Sequence, residues 1–311
     1  MHDWEGSLRG VFVGAAVGVV FGLGGFFLSE NHRTNSMGAV VFLLVPLAAG
    51  FAITMVAEGA QTISAAALLS TLVSLLTLIL TKLETPVCAL LAFPLIFTGL
   101  LCGIALGYLF HWLRRKLGSH GAVFPSMMVL AMPLVIVAGH RVELSTLVHP
   151  RTEVVTSSVQ IEAAADRVWT GLQAFDTVIA PKPFLMHIGL PVPMSCVERG
   201  TGIGAKRTCY FDRGSIEETI TQWSPPTVMG LSIDRTNMPG RHWLGFEHAE
   251  YSLHQDGGKT TVTRTTTIIS NLYPAWYWRP FERRGVEDEH EYIFGDLSRR
   301  LAPDPNHLSQ P

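Results

Sequence analysis

The stretch 153-EVVTSSVQIEAAADRVWTGLQ-173 is where the chain changes period. From Glu153 to Ile161, β-branched and apolar residues alternate with polar ones, the repeat of a strand with one face buried. From Ala163 to Gln173 the apolar residues Val168, Trp169 and Leu172 fall at helical spacing, and Asp166 stands in the first turn, where a negative charge suits the helix dipole. A strand running straight into a short amphipathic helix therefore opens the second half of the chain.

The rest of this half reads mostly as strands. After a stretch with Pro181, Pro183, Pro191 and Pro193, strand patterns run over Met194 to Arg199, Ala205 to Asp212, Ile216 to Trp223, Val228 to Asp234, His242 to His254 and Lys259 to Ser270. Turn signals separate them: Gly200 to Gly204, Arg213-Gly214, Pro225-Pro226, Pro239-Gly240 and Asp256 to Gly258. The last element reads as a helix from about Pro280 to Leu301, with Val286, His290, Ile293, Leu297 and Leu301 spaced for one buried stripe. A Pro-containing tail over 302–311 is expected to be disordered.

Strand, helix, a meander of strands and a long final helix is the order of the helix-grip fold, an α+β domain in which a curved antiparallel sheet wraps the last helix. The sequence resembles the START/Bet v 1-like (SRPBCC) superfamily, in particular its polyketide cyclase/dehydrase and lipid-transport group. Three segments carry the resemblance: Val155 to Ile161 with Ala164-Ala165-Asp166-Arg167-Val168-Trp169, Gly202-Ile203-Gly204-Ala205-Lys206-Arg207, and Glu218 to Pro226. It covers about half the chain. It implies a cavity between the sheet and the C-terminal helix that holds an apolar molecule such as a lipid, sterol or polyketide, without implying catalysis. It also implies, as alternatives, a binding protein or a cyclase/dehydratase-type enzyme. Bacterial membrane proteins that join such a domain to an N-terminal bundle look similar, which makes a bacterial inner membrane the expected location.

Several residues are candidates for lining such a cavity. Glu218 shares a strand face with Ile216 and Ile220, and Arg207 and Arg264 on other strands are in a position to pair with it. His290 lies on the apolar stripe of the last helix, and His248 lies on a strand whose inward face the sequence leaves open. Trp223, Trp243 and Trp276 add aromatic surface suited to a pocket or its mouth. Glu218 and His290 are the candidates for acid/base chemistry; the alternative for this set is a buried ion pair with hydrogen-bonded histidines. The Tyr273 to Trp278 segment packs four aromatics into six residues, which favours a pocket rim or a lipid headgroup region. His242 and His248 are separated by roughly 20 Å along a strand, too far to share an ion, and no helical HxxxH or paired CxxC motif occurs. No metal and no cofactor is expected. Cys196 and Cys209 flank the Gly202-Ile203 turn almost symmetrically and are expected to face each other, close enough for a disulfide.

The first half of the chain is different. Between Gly10 and Leu113 the only charged residues are Glu30, Arg33, Glu58, Lys82 and Glu84, and the whole chain has a mean hydropathy of +0.30 with only 15% charged residues. Apolar runs over 10–28, 37–57, 61–81, 86–110 and 121–139 are each long enough for a membrane-spanning helix, although Pro125 and Pro133 interrupt the fifth. The expected organisation is an all-α transmembrane bundle over 1–142, a ligand-binding domain over 143–301 and the tail.

Charge sets the orientation. Arg114, Arg115 and Lys116 form the densest basic cluster, which places their loop and the N-terminus in the cytoplasm and the second half outside the membrane. If the fifth segment lies in the interface instead, that half is cytoplasmic. A basic run no longer than this, with a pI near 6.6, argues against nucleic acid as a partner. With no charge in mid-span, transport chemistry is disfavoured, and Glu58 and His111 read as interfacial anchors.

Gly10, Gly14, Gly18 and Gly22, and Gly99, Gly103 and Gly107, recur every four residues. Such flat stripes permit close helix approach, so spans one and four are expected to pack together, or one of them against its copy in a homodimer, unless the glycines reflect only their frequency in membrane helices. A sensor or scaffold that dimerises this way is a further functional alternative. The expected partners are thus the membrane, a lipid-like or apolar small molecule, and a second copy of the chain.

Overall fold

Apolar runs without internal polar breaks form helices because a helix satisfies its own backbone. The computed structural model describes residues 2–30, 38–81, 84–116, 123–146, 149–173, 175–241 and 243–302. The loops with Arg33 and Lys82, His242 and the tail beyond 302 lie outside these described residues. The chain divides into two units, a helical one over Met1–His149 with Asn271–Pro274, and a sheet-containing one over Pro150–Ser270 and Ala275–Pro311.

The helical unit contains α1 (His2–Glu30), a π-helical turn (Val40–Leu44) that runs into α2 (Val45–Val56), α3 (Ala60–Leu80), α4 (Pro86–Lys116) and α5 (Val123–Thr146). Three segments, Leu8–Gly25, Ala60–Leu80 and Pro86–Lys116, are long and apolar enough to cross a membrane. The second expected span is a shorter apolar helix, Val40–Val56, because the chain turns extended at Ala57 and Gly59 takes a positive φ of 83°. The fifth is one helix despite Pro133 within it, and it continues to Thr146, past the boundary expected at 142.

That continuation carries Glu143 into the helical unit. Its buried carboxylate accepts the backbone N–H of Ala39 (2.5 Å) and of Val40 (3.3 Å), which satisfies donors that the start of a helix leaves without partners. His111, expected as an interfacial anchor, donates its Nε2–H to the Thr54 carbonyl at the end of α2 (2.9 Å). A carbonyl can only accept, so this contact fixes the tautomer.

The glycine stripes pair differently from the expectation. Gly10, Gly14, Gly18 and Gly22 of α1 face Thr62, Ala66, Ser70 and Ser74 of α3, themselves small and four residues apart. Gly99, Gly103 and Gly107 of α4 face Leu43, Leu47 and Thr54 at the π-turn and α2, and a Cβ at Gly99 would sit 2.5 Å from the Leu43 carbonyl oxygen. Spans one and four therefore do not pack through their stripes. Each stripe is faced by residues of this chain.

The second unit opens with β1 (Arg151–Ile161) and α6 (Ala165–Gln173), followed by the single turn α7 (Phe184–His187). Then come β2 (Pro193–Arg199), β3 (Lys206–Phe211), β4 (Gly214–Ser224), β5 (Val228–Thr236), β6 (Leu244–Asp256), β7 (Lys259–Ser270) and α8 (Ala275–Leu301). The strands form one antiparallel sheet in the order β1-β7-β6-β5-β4-β3-β2, with bulges in β2, β4, β5 and β6 of the kind that bend strands. One face carries Ile161, Ile220, Met229, Leu231, Ala249, Tyr251 and Val262, which pack against Val168, Trp169 and Leu172 of α6 and Phe294 and Leu297 of α8. A sheet gripping its C-terminal helix is the helix-grip arrangement, so the α+β fold class is as the sequence order indicates. Strand boundaries shift by one or two residues, and the largest displacement in this unit is the start of α8, which lies at Ala275 and leaves Pro280 inside the helix.

Candidate functional site

The alternating strands send every second side chain toward α8, and several of those side chains are charged. Arg207 on β3 stands directly across from Glu218 on β4, and its Nη1 donates to Oε2 of Glu218 at 2.9 Å, with side-chain exposures of only 4% and 6%. Arg207 also donates to the carbonyls of Leu172 (3.2 Å) and Gln173 (3.3 Å), the open C-terminal end of α6. Both charges are thus paired and hydrogen-bonded, the condition under which buried ions are tolerated.

Arg264 on β7 does not join Glu218. It binds Glu289 of α8 at 2.8 Å and lies over the ring of the fully buried Tyr251, 5.1 Å from its centroid. His290, completely buried on α8, is held by Thr266 Oγ1 on Nε2 (2.8 Å) and by Ser157 Oγ on Nδ1 (3.0 Å). Burial, with the Arg264 charge adding to it, lowers the His290 pKa to about 2, so the ring is neutral at physiological pH. Burial likewise raises the Tyr251 phenol. At the sheet–helix interface these buried polar groups are therefore paired, among the apolar side chains of the core.

The aromatic candidates divide by location. Trp223 packs edge-on against Trp169, ring centroids 5.0 Å apart, and belongs to the core. Trp243 is buried as well, whereas Trp276, in the first turn of α8, is 75% exposed. His248 pairs with Ser232 and Thr267 and lies on the opposite face of the sheet from Ala249, Tyr251 and Leu253. A bulge between Phe246 and His248 sets that parity, so His248 turns away from α8. Cys196 and Cys209 sit directly opposite each other on β2 and β3 and are joined by a disulfide. Cys88 and Cys102 are free.

A cleft of about 300 Å³ opens elsewhere, beneath the first turns of α8. Val155 of β1 and Ile268 of β7 form its apolar floor, and Glu153, Arg279, Glu282 and Arg283 form its polar walls. Arg151 ties the walls together: Nη1 binds Glu153 and Nη2 binds both oxygens of Glu282, each at 3.0 Å. Ser270 Oγ donates to Glu282 at 2.5 Å, and Arg279 Nε donates to Glu153 at 2.9 Å. None of these residues stands out in the sequence as a site candidate. The signal available was the Arg279, Glu282, Arg283 spacing of three and four, which puts the three on one helix face, beside the alternating Arg151 and Glu153 of β1.

No protein-family model matches the chain, and no curated protein matches it. Among solved structures, a START superfamily protein from Mycobacterium smegmatis is similar at 10% identity and a TM-score of 0.36, covering 50% of this chain and 99% of that one. Norcoclaurine synthase from Thalictrum flavum, in complex with dopamine and hydroxybenzaldehyde, is similar at 11% identity and a TM-score of 0.33, covering 50% of this chain and 91% of its own. The fold assignment itself rests on the strand order and the position of α8.

Proposed function

We propose that the chain is a membrane-attached binding protein whose helix-grip domain takes up a small apolar or amphipathic molecule in the cleft beneath the first turns of α8. The observation that carries this reading is the cleft itself: an apolar lining of Val154 and Pro280 above the buried Val155 and Ile268, walled by ion pairs, with a volume of about 300 Å³, the lower end of the range for small-molecule sites. The exposed Trp276 on the same helix and three helices of membrane-crossing length in the same chain support a ligand of membrane origin. The lipid class implied by the resemblance fits this chemistry. Binding is preferred to catalysis because the two acid/base candidates are both engaged, Glu218 by Arg207 and His290 by Thr266 and Ser157.

The domain is assigned to the extracytoplasmic side. The basic cluster Arg114 to Lys116 at the end of α4 favours a cytoplasmic loop there, and the Cys196–Cys209 disulfide suits an oxidising compartment. The test is native mass spectrometry of the full chain after gentle extraction. A hydrophobic adduct that survives on the wild-type chain and is lost on Val154→Arg, which places a charge on the exposed apolar lining, supports the reading. Wild-type chain free of adduct, or an adduct unaffected by Val154→Arg, contradicts it.

A further inference from the structure

The charges of the cleft lie on one stripe of α8. Trp276, Arg279 and Arg283 are three and four residues apart and share a helix face. The Arg279 and Arg283 side chains are 66% and 61% exposed. Each guanidinium is held through Nε, Arg279 by Glu153 and Arg283 by Glu287, both at 2.9 Å. Among the described residues, the Nη1 and Nη2 groups of these two arginines have no hydrogen-bond partner. Anchoring through Nε fixes the plane of each guanidinium and leaves its remaining N–H donors free, an arrangement suited to carboxylate or phosphate oxygens.

The two carboxylates that line the cleft, Glu153 and Glu282, are already paired, Glu153 with Arg151 and Arg279. Glu282 is bound by Arg151 and Ser270 from the sheet side, and its side chain is 3% exposed. The accessible apolar lining is Val154, 57% exposed, and the exposed Pro280, above the buried Val155 and Ile268. An indole at the head of an arginine stripe is also the pairing found on surfaces that meet lipid headgroups.

We propose that this cleft selects an anionic amphiphile, its acidic head held by Arg279 and Arg283 and its apolar chain laid against Val154 and Pro280. The proposal rests on reading the cleft as the binding site and adds the class of the ligand. A cation would meet two guanidiniums at the rim, and a neutral molecule would leave their donors unused. The same head chemistry is offered by an anionic lipid and by a free fatty acid.

The test uses the full chain in phosphatidylcholine nanodiscs, with empty nanodiscs as the blank, titrated calorimetrically with octanoate and with 1-octanol. Octanoate is expected to bind about tenfold or more tightly than the alcohol, and Arg279→Gln with Arg283→Gln to erase that preference while octanol binding stays unchanged. Equal binding of the two probes, or an acid preference that survives the double substitution, overturns the anionic class and leaves cleft binding standing. Failure of both probes to bind overturns the cleft reading with it. Competition of octanoate by phosphatidylglycerol in the nanodisc assigns the head to a bilayer lipid. Octanoate binding undiminished by phosphatidylglycerol assigns it to a free acid.

Discussion

Replacing Glu218 by alanine separates a structural ion pair from a ligand contact. The substitution leaves the Arg207 guanidinium, 4% exposed, with the Leu172 and Gln173 carbonyls as hydrogen-bond partners and Glu198, opposite it on β2, as the remaining carboxylate neighbour. Breaking a buried pair by removing one partner costs about 3–5 kcal/mol, and Glu198 holds the loss toward the lower end. For a domain of this size each kcal/mol moves the melting temperature by about 2–4 °C, so the midpoint should fall by about 10 °C, read by near-UV circular dichroism of the full chain in detergent. Two controls fix the cause. Arg207→Met combined with Glu218→Leu removes both charges and should recover most of the loss. Asp234→Ala, which breaks the exposed neighbouring pair Lys206–Asp234 (2.9 Å, side chains 63% and 36% exposed), should cost less than about 1 kcal/mol. A Glu218→Ala midpoint within about 2 °C of wild type would refute the description of this pair as buried and structural.

Three further outcomes rest on particular contacts. Because the native His290 stays neutral down to about pH 2 while an unfolded histidine takes up a proton near pH 6.5, stability should fall as pH drops below about 6.5, by up to about 1.4 kcal/mol per unit from this group alone. Urea titrations from pH 7.5 to pH 4.5 should show a shallower fall for His290→Gln, and identical slopes would contradict the burial. A Cβ at Gly103 would press on the Leu47 carbonyl and stand 2.9 Å from the Phe51 nitrogen, so Gly103→Ala should destabilise the helical unit by about 1–3 kcal/mol in detergent melts. Gly24→Ala, with nothing within 4 Å of the new Cβ, should be neutral, and equal effects would undo the packing argument. Replacing Cys196 and Cys209 by serine opens a link across 13 residues and should cost roughly 3 kcal/mol; mass analysis of unreduced, alkylated chain that finds both thiols modified would contradict the bridge.

The sheet was legible because long stretches of its strands alternate with a period of two: Lys259–Ser270 has the bounds that alternation and the Asp256 to Gly258 turn predict. The start of α8 was not, because Pro280 reads as a helix beginning, yet the helix extends ahead of it through Ala275 to Arg279. Periodicity finds faces and not partners. The α1 stripe had a legible mate in the four-residue repeat Thr62, Ala66, Ser70, Ser74 on α3, whereas the mate of the α4 stripe is largely the backbone of α2, which no side-chain pattern reveals. Within the domain, the inward face of Glu218 and its reach to Arg207 are consequences of strand register. The outward turn of His248 escapes such reasoning, because one bulge residue inverts the alternation. The cleft is hidden in the sequence because its residues, Arg151, Glu153, Arg279, Glu282 and Arg283, read singly as solvated charges.

Photolabelling locates the ligand most directly. The full chain in phosphatidylcholine nanodiscs is irradiated with a diazirine-bearing fatty acid, digested, and the labelled residues are mapped by mass spectrometry. The account predicts label on Glu153 and Val154 and on the Arg279 to Arg283 segment. Label concentrated around Arg207, Glu218, Leu231 and His290 would contradict it, since it would require a hollow interior where those side chains are packed.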